Sequence, residues 1–511
     1  MGLLFKKIIR FSPAPVLWLT ILLTACSDQH QLPISVKRDI DTKVTDGLTT
    51  LKNVQGISLG IYTHKGTYTK GYGVADIETG ASVNENTAFY IASSTKPLTA
   101  LAMSVLDQRG EINLNATLTE FAPDAPFPLN VNPAQVKLKD LLSNSSGLRN
   151  AAIEERLAFT GQHNPKMLWR LLAHTKPSPK SPLGTFRYSN YNFNILTILT
   201  DKKLGKSWKD ILATEVFAKA GMTRSTAYMS KAKLENWPVA HPHWTAGPGA
   251  PRRIESERVK VDATMHSAGG VIMSAADAVL WLEAMLENGQ IAGKQVFPPA
   301  AIQVLIQPHV SVNKEALGYQ RDSYGLGWYI GRYKDDLFVH HFGQYAGSRA
   351  HVSFMPNQKI GVAVFVNDSQ AGSLLADSIA NYVYDSLTNK TTAASDYRAA
   401  LDKALKYEQN YEKRRAAEIV KRAKRKSRLS LPLTSYAGNY TNEFGESINV
   451  AVQDESLRIT KAGAVSISEP YIRPEAIRVE FTRDRGQVIR FTASKQNIVE
   501  KLTFVGETYI K

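Results

Sequence analysis

The spacing of apolar residues in the first part of the chain predicts a β-hairpin followed by a helix. Residues 57–62 and 67–73 are β-prone and flank a turn at Lys65-Gly66. After position 93, apolar residues recur at helical spacing and share one face: Leu98, Leu101, Ala102, Val105 and Leu106. Gly110 follows this segment and is expected to end the helix.

In the second part of the chain, apolar runs predict two more helices and a group of strands. Residues 136–148 predict a helix that ends in a polar turn closed by glycine, and residues 275–286 predict an amphipathic helix. Residues 324–330, 339–348 and 360–367 are short apolar runs typical of strands in one sheet. The same domain therefore combines helices with a sheet.

Two further regions follow position 390. Residues 391–430 predict a helical linker rich in lysine and arginine. We interpret it as a solvated connector; the alternative is contact with anionic phospholipid or cell-wall material. Residues 431–511 contain short alternating segments and predict a small all-β domain, a sandwich or a barrel. No catalytic set is visible in this C-terminal domain, so we expect it to stand apart from the chemistry.

The composition is that of a globular protein with more than one domain. The chain has 511 residues, of which 43% are hydrophobic and 21% charged, and this is ample for a buried core. The net charge is +16, but part of the excess lies in the linker, so we do not interpret it as a signal for nucleic-acid binding. A single cysteine excludes an internal disulfide framework.

The N-terminal residues indicate an export signal. Residues 1–25 have a basic start and then an apolar run that is short for a permanent membrane span. The only cysteine, Cys26, follows this run, and the arrangement resembles the signal of bacterial lipoproteins, in which that cysteine carries lipid. An ordinary cleaved signal is the alternative. By the same resemblance, Ser27 favours the periplasmic face of the outer membrane, with residues 26–45 as a polar tether.

The first candidate for chemistry lies at the start of the helix after position 93. Ser93 and Lys96 are three residues apart, so a helix brings the amine beside the hydroxyl. A serine hydroxyl is a weak nucleophile, and a lysine kept neutral by burial can accept its proton. The helix N-terminus also favours negative charge near the serine oxygen. Pro97 fits this position because the first turn has no intrahelical N–H bond to lose.

Two other motifs suggest chemistry that we do not expect. Ser58 lies in a Gly-x-Ser-x-Gly match, but a nucleophile in that motif needs a strand before it and a helix after it, and Ser58 lies within a predicted strand. His241 and His243 have no carboxylate or cysteine at a suitable spacing, so they predict a surface loop and not a metal site. The sequence predicts neither a metal ion nor a cofactor.

Two short polar motifs later in the chain could complete a site around the serine. In Tyr188-x-Asn190, the tyrosine hydroxyl can relay protons, and the asparagine amide can bind a substrate carbonyl and orient a lysine. In His341-x-Gly343, the glycine permits a substrate to approach the backbone closely. Each motif is weak alone, and its weight comes from its position after the serine motif.

Together the three motifs resemble those of the penicillin-recognising serine enzymes, most closely the class C β-lactamases, D-alanyl-D-alanine carboxypeptidases and related esterases. The resemblance covers residues 46–390 and implies an α+β fold with a mainly antiparallel sheet, flanking helices and a helical subdomain. It implies that Ser93 attacks the acyl carbon while Lys96 and Tyr188 move its proton. Asn190 would hold the substrate amide.

The resemblance also implies an oxyanion hole made by the N–H groups of Ser93 and Gln344. His341 is a departure, because β-lactamases usually have lysine there, whereas some carboxypeptidases and D-peptidases of the family have histidine. We therefore expect His341 to tune proton transfer more than to bind an anion. Arg332 or Arg349 is the candidate partner for a substrate carboxylate.

These features favour an acyl-serine hydrolase that acts on a D-alanyl peptide, a β-lactam or a small ester, with a small molecule or a peptidoglycan peptide as substrate. A carboxylesterase is the second hypothesis. The third is a catalytically idle lipoprotein that binds the cell wall, which the intact serine, lysine, tyrosine and asparagine disfavour. The fold cannot choose among the substrates, because specificity depends on the loops around the pocket.

Overall fold

The structure is a computed structural model, and it describes residue 2 and residues 32–161, 163–245, 251–253, 260–481 and 485–511. The predicted signal peptide and Cys26 lie outside the described residues. Within the described ranges, no helix is both long and apolar enough to cross a membrane.

The first and larger domain is organised around a sheet that has nine strands in the described part of the chain. In chain order they are β1 Gly56–Thr63, β2 Gly66–Asp76, β3 Ala81–Ser82, β4 Val310–Ala316, β5 Tyr319–Tyr324, β6 Tyr329–Tyr333, β7 Asp336–Tyr345, β8 Ser348–Met355 and β9 Ile360–Val366. The spatial order is β4-β5-β6-β7-β8-β9-β1-β2-β3, and all neighbours are antiparallel. The predicted hairpin is confirmed as β1 and β2, and Ser58 is buried within β1.

Helices cover both faces of this sheet. The α-helices of the described residues are α1 Ile34–Thr50, α2 Thr95–Gln108, α3 Leu118–Phe121, α4 Leu138–Leu142, α5 Ala151–Phe159, α6 Pro165–Leu171, α7 Asn190–Leu204, α8 Trp208–Leu212, α9 Ala218–Ala220, α10 Met229–Leu234, α11 Ala275–Leu286, α12 Pro299–Gln303, α13 Ala371–Leu387, α14 Ala393–Ala423 and α15 Leu433–Tyr436, and α15 belongs to the C-terminal domain. One face packs on α11 and the other on α13, so that every residue of β1 and β9 is buried. The predicted helix over residues 275–286 is confirmed as α11.

Two apolar cores result from this layering. The larger core lies on the α2 and α11 side and extends into the helical subdomain that contains α7. The second lies on the opposite face, between the sheet and helices α1, α13 and α14. The mainly antiparallel sheet flanked by helices confirms the predicted α+β fold.

The C-terminal domain is a single curved sheet, close to a closed barrel. Its strands are β10 Gly438–Thr441, β11 Ser447–Gln453, β12 Ser456–Lys461, β13 Ala464–Ile467, β14 Glu469–Pro470, β15 Ala476–Val479, β16 Gln487–Ala493, β17 Val499–Phe504 and β18 Glu507–Ile510. Their order is β13-β12-β11-β10-β18-β17-β16-β15-β14, around a core of its own. The predicted all-β domain is thus confirmed, as a barrel-like sheet.

Short two- and three-residue strands complete the described structure. They are Phe89–Tyr90, Leu148–Arg149, Lys176–Pro177, Ser225–Thr226, His243–Thr245, Pro251–Arg253, Ile272–Met273, Gln290–Ile291 and Lys294–Gln295. The pairing of Phe89–Tyr90 with Ile272–Met273 brings the segment before Ser93 next to the segment before α11.

The predicted tether over residues 26–45 needs correction from residue 34 onward. Residues 34–45 belong to helix α1, in which Ile40 and Val44 are fully buried against the second core. These two residues are four apart and lie on one face of the helix, but the many polar residues around them hide that stripe in the sequence.

Three other segments differ from their predictions in extent. Residues 324–330 are a junction between β5 and β6 and not one strand, because Gly327 has φ of +80° and turns the chain. The helix predicted over 136–148 is only the short α4. Helix α14 is confirmed, but its first half packs into the second core through Leu401 and so is more than a solvated connector.

The C-terminal domain is in contact with the first domain. Lys176 pairs with Glu507 at 3.0 Å, and Glu155 of α5 accepts a hydrogen bond of 3.0 Å from Gln487. Phe444 joins the larger core of the first domain. These contacts leave no local signal in the sequence, because they join distant parts of the chain. That the C-terminal domain takes no part in the chemistry stays a prediction.

Candidate active site

Ser93 lies on a strained turn at the entry to α2. The turn Ala92–Ser94 is a 3-10 helix that continues into α2, so Ser93 is at a helix N-terminus as predicted. Ala92 has φ of +47°, a conformation that costs energy for a residue with a Cβ atom. This turn keeps Ser93 partly exposed, whereas its neighbours Ala92 and Ser94 are buried.

The amine of Lys96 has three polar contacts, and one of them is the serine hydroxyl. Its Nζ lies 3.3 Å from Oγ of Ser93, 2.6 Å from Oδ1 of Asn190 and 2.8 Å from the carbonyl oxygen of Ala268. Both carbonyl-type oxygens can only accept hydrogen bonds. A neutral amine would donate its two hydrogens to them and turn its lone pair toward the Ser93 hydroxyl.

The electrostatic setting favours this neutral form. Lys96 is completely buried, and burial lowers the pKa of its amine to about 7, although the nearby Glu154 carboxylate acts in the opposite direction. A large fraction of Lys96 is therefore neutral near pH 7 and can accept a proton from Ser93.

Tyr188 lies beside this pair, immediately before α7. Its ring faces Lys96, with Nζ 4.6 Å from the ring centroid, and its hydroxyl interacts with Ser93. Burial of the hydroxyl raises its pKa well above the usual range, so the tyrosine stays protonated. Tyr188 is thus suited to donate a hydrogen bond at the serine, while proton acceptance falls to Lys96.

Helix α7 begins with the residues that orient the lysine. Ser189 caps the helix by accepting a hydrogen bond from the N–H of Tyr191, and Asn190 is the first helical residue. The hydroxyl of Ser189 also donates to Glu154 of α5 at 2.5 Å. Glu154 therefore links α5 to the loop that carries Tyr188 and Asn190, which sequence reasoning did not find.

Strand β7 passes close to the serine turn, and Gly343 makes this approach possible. A Cβ atom at Gly343 would lie 1.8 Å from the carbonyl oxygen of Ile91 and 3.1 Å from the backbone nitrogen of Ser93, so no side chain fits. The next residue, Gln344, lines the same cavity as Ser93. The backbone amides of Ser93 and Gln344 are therefore candidates for an oxyanion hole.

His341 on β7 is buried among aromatic rings. The ring centroids of Tyr329 and Tyr188 lie 5.7 and 6.0 Å from its own, and its Nδ1 is 3.0 Å from the carbonyl oxygen of Phe342. Burial, with the positive charges of Lys96 and Arg321, lowers the pKa of His341 well below its usual value. A neutral histidine at this place is a poor partner for an anion.

The two arginines expected to bind a substrate carboxylate are both engaged elsewhere. Arg349 is buried and pairs with Asp377 at 2.7 Å, and Arg332 is exposed and lies 3.8 Å from Asp322. Neither residue lines the cavity at Ser93. That expectation was wrong, because alternation along a strand turned these side chains away from the cavity.

A second serine–histidine–aspartate arrangement lies inside the protein. His351 contacts Asp377 at 2.9 Å through Nδ1 and Ser353 at 2.7 Å through Nε2. Both Ser353 and His351 are fully buried, and Ser353 is also 2.8 Å from the hydroxyl of Tyr384. Without access for a substrate, this network acts as a polar brace between β8 and α13.

Ser93 opens into a cavity of about 410 Å³ that both domains line. The first domain contributes Asn190, Lys260 and Gln344, among others, and the C-terminal domain contributes Lys461 and Arg485. Of these five residues, the sequence predicted a role in the site for Asn190 and Gln344. Lys260, Lys461 and Arg485 lie in no recognisable motif, so the sequence offered no reason to select them. Among the described residues, no group of three His, Cys, Asp or Glu side chains could hold a metal ion.

A model of the β-lactamase family matches residues 42–383, which is more than half of the chain. The chain belongs to the β-lactamase family. The match begins in α1 and ends in α13, so it contains Ser93, Lys96, Tyr188, Asn190 and His341.

Individual relatives are distant but similar over most of the chain. The unguisins hydrolase ungD' of Aspergillus campestris is 22% identical over 424 residues, which covers 79% of this chain and 76% of the relative. The octameric penicillin-binding protein homologue from Pyrococcus abyssi has a TM-score of 0.59 at 20% identity and covers 93% of this chain and 100% of its own.

The D-amino acid amidase from Ochrobactrum anthropi SV3 has a TM-score of 0.57 at 19% identity and covers 71% of this chain and 99% of its own. At such identities the structural matches show a shared fold. The family and its relatives support a hydrolase of the serine type in general.

Proposed function

We propose that this protein is a serine hydrolase that cleaves amide or ester substrates through an acyl-serine intermediate at Ser93. In the first step, the Ser93 hydroxyl gives its proton to Nζ of Lys96, and Oγ bonds to the substrate carbonyl carbon. The electron pair of the carbonyl moves to its oxygen. When it returns, the bond to the leaving group breaks, and that group takes the proton from Lys96. Water then cleaves the acyl ester by the same sequence.

The single observation that carries this proposal is the environment of Lys96. A buried amine with a pKa of about 7, lying 3.3 Å from a serine hydroxyl and held by two carbonyl-type acceptors, has the properties of a general base. A structural lysine would more commonly have a carboxylate partner, whereas Asn190 and Ala268 offer neutral oxygens.

The neighbouring groups have roles that fit this scheme. Tyr188 would donate a hydrogen bond to the serine oxygen or the leaving group, since its raised pKa keeps it protonated. The N–H groups of Ser93 and Gln344 would stabilise the oxyanion, a contribution that is typically about 3–4 kcal/mol per donor.

We expect this protein to accept a narrower range of substrates than the family as a whole. β-Lactams carry a carboxylate close to the reacting carbonyl, and the neutral His341 offers no positive charge beside the serine. We therefore expect small neutral esters to be better substrates than cephalosporins. D-alanyl peptides stay a candidate, because some carboxypeptidases and D-peptidases of the family have histidine at this place. Carboxylesterase activity is the second candidate, and the neutral His341 favours it as well, because a neutral ester needs no cation at this place.

The location is proposed from the sequence alone. Cys26 is the expected lipid attachment site, which would hold the enzyme at the periplasmic face of the outer membrane. The peptide substrates considered above would be accessible there.

A substrate panel tests the proposed function. The soluble protein without residues 1–26 is assayed with a neutral p-nitrophenyl ester, a D-alanyl-D-alanine peptide and a chromogenic cephalosporin. We expect turnover of the ester or the peptide and its loss in Ser93→Ala, with activity retained in the matched control Ser58→Ala. Absence of turnover on every substrate, or equal loss in both variants, would contradict the proposal.

A further inference from the structure

The C-terminal domain forms one wall of the cavity that contains Ser93. Residues of β12, β13 and β16 and the segment between strands face the serine side across that space: Lys461, Ala462, Ala464, Arg485 and Gln487. The wall is therefore both polar and positively charged, and its cations differ in whether a carboxylate lies beside them.

Lys461 is neutralised by its neighbours. It is buried and lies 3.2 Å from Glu446 and 3.5 Å from Glu155. Glu155 in turn accepts a hydrogen bond from Gln487. These contacts join the C-terminal domain to α5. Because two carboxylates already balance the charge of Lys461, this residue is a poor partner for a substrate anion.

Lys260 is different, because no carboxylate of the described residues forms an ion pair with it. The residue is 5% exposed, and its Nζ lies 4.5 Å from the ring centroid of Phe159 and 4.6 Å from that of Tyr345. Its polar contact among the described residues is the carbonyl oxygen of Thr264 at 3.4 Å. Two aromatic faces thus hold the amine at a fixed place in the cavity wall.

Arg485 is the second cation on this side of the cavity. It is exposed and lines the same cavity as Ser93, and it forms no ion pair with the described residues. It lies close enough to Lys260 for its charge to act on that amine. Two like charges that share one cavity repel each other, and each would be stabilised by an anion between them.

The protonation behaviour of Lys260 agrees with this description. Burial first, and the charge of Arg485 second, lower the pKa of Lys260 to about 7. An anion bound between the two residues would favour the charged form of Lys260 and so strengthen its own binding.

We propose that Lys260 and Arg485 form a subsite for a carboxylate of the substrate, so that the enzyme prefers acyl donors with a carboxylate remote from the scissile bond. This inference rests on the proposed acyl-serine chemistry and deepens it. The anion would bind at the wall of the C-terminal domain and not at His341 on strand β7. The C-terminal domain would therefore take part in substrate choice.

The test uses two matched p-nitrophenyl esters, a glutarate hemiester with a free terminal carboxylate and its neutral methyl ester. The quantity measured is the ratio of kcat/KM for the anionic ester to that for the neutral ester. Loss of one charged hydrogen bond is worth roughly tenfold or more, so we expect Lys260→Met and Arg485→Gln each to lower the ratio by at least about tenfold. The change should be mainly in KM of the anionic ester.

The matched control is Lys495→Met, which removes an exposed lysine of the same domain away from the cavity. Its ratio should equal that of the wild type. If Lys260 were only structural, its variant would affect both esters equally and the ratio would not change, which would overturn the inference. Arg485→Gln keeps the test decisive if Lys260→Met does not fold, because Arg485 is exposed.

The result also separates this inference from the proposed function. Hydrolysis of the neutral ester that depends on Ser93, with a ratio unaffected by either variant, would overturn only the carboxylate subsite. No hydrolysis of either ester and no covalent labelling of Ser93 would overturn the acyl-serine chemistry and the subsite with it.

Discussion

The most informative perturbation is pH, because the proposed proton transfer depends on one amine, that of Lys96. With an ordinary pKa of 10.5, only about 0.03% of Lys96 would be neutral at pH 7, whereas with a pKa of about 7 the neutral fraction is about half. Burial thus raises the concentration of the reactive form by roughly a thousandfold.

The assay is the second-order rate constant for labelling of Ser93 by an uncharged fluorophosphonate between pH 5 and 9. The neutral amine is the active form, so the rate should be highest above pH 7 and fall as the pH drops through about 7. At pH 5 it should be about 1% of the plateau. His341 cannot cause this inflection, because its pKa is well below its usual value.

Two variants identify the titrating group. The pKa of Lys260 is also about 7, so the inflection should persist in Lys260→Met if Lys96 is responsible. Glu154 raises the pKa of Lys96, and Glu154→Gln should therefore move the midpoint to lower pH. A flat profile, or a midpoint unchanged by Glu154→Gln but abolished by Lys260→Met, would refute the assignment of Lys96 as the base.

Three other predictions concern single positions. Gly343→Ala should destabilise the protein by about 1–3 kcal/mol in urea unfolding and slow the labelling of Ser93, because the added carbon would overlap the serine turn; an unchanged midpoint would contradict this packing. His341→Lys should raise the ratio of kcat/KM for a cephalosporin to that for a neutral ester, by adding a positive charge beside the serine, and an equal ratio in both proteins would count against it. Cys26→Ser should move the full-length protein from the membrane fraction to the soluble fraction, whereas continued membrane association would argue against lipidation.

The sequence was sufficient for the residues near Ser93 because each of them lies in a short motif with its own local structure. The i, i+3 spacing of Ser93 and Lys96 needs only one helical turn, and Tyr188 and Asn190 flank a helix cap. Gly343 is required by a close approach of two backbones. The structure brings these residues together as the motif order suggested.

The remaining parts depend on contacts between distant segments. Lys260 lies in no recognisable motif. Its proposed role depends on the rings of Phe159 and Tyr345 and on the charge of Arg485, all of which lie far from it in the chain. The polar residues of α1 hid two buried side chains. Nor could the sequence show that the C-terminal domain lines the cavity, since that wall is built by pairing of charged groups such as Lys461 with α5.

The central claim is that Ser93 becomes covalently acylated, and peptide mass spectrometry tests it most directly. The protein is incubated with penicillin or with the fluorophosphonate, digested, and the modified residue is identified. We predict one adduct, on Ser93, that is absent in Ser93→Ala and strongly reduced in Lys96→Ala. An adduct on Ser58 or on the buried Ser353, or no adduct with either reagent, would contradict the account.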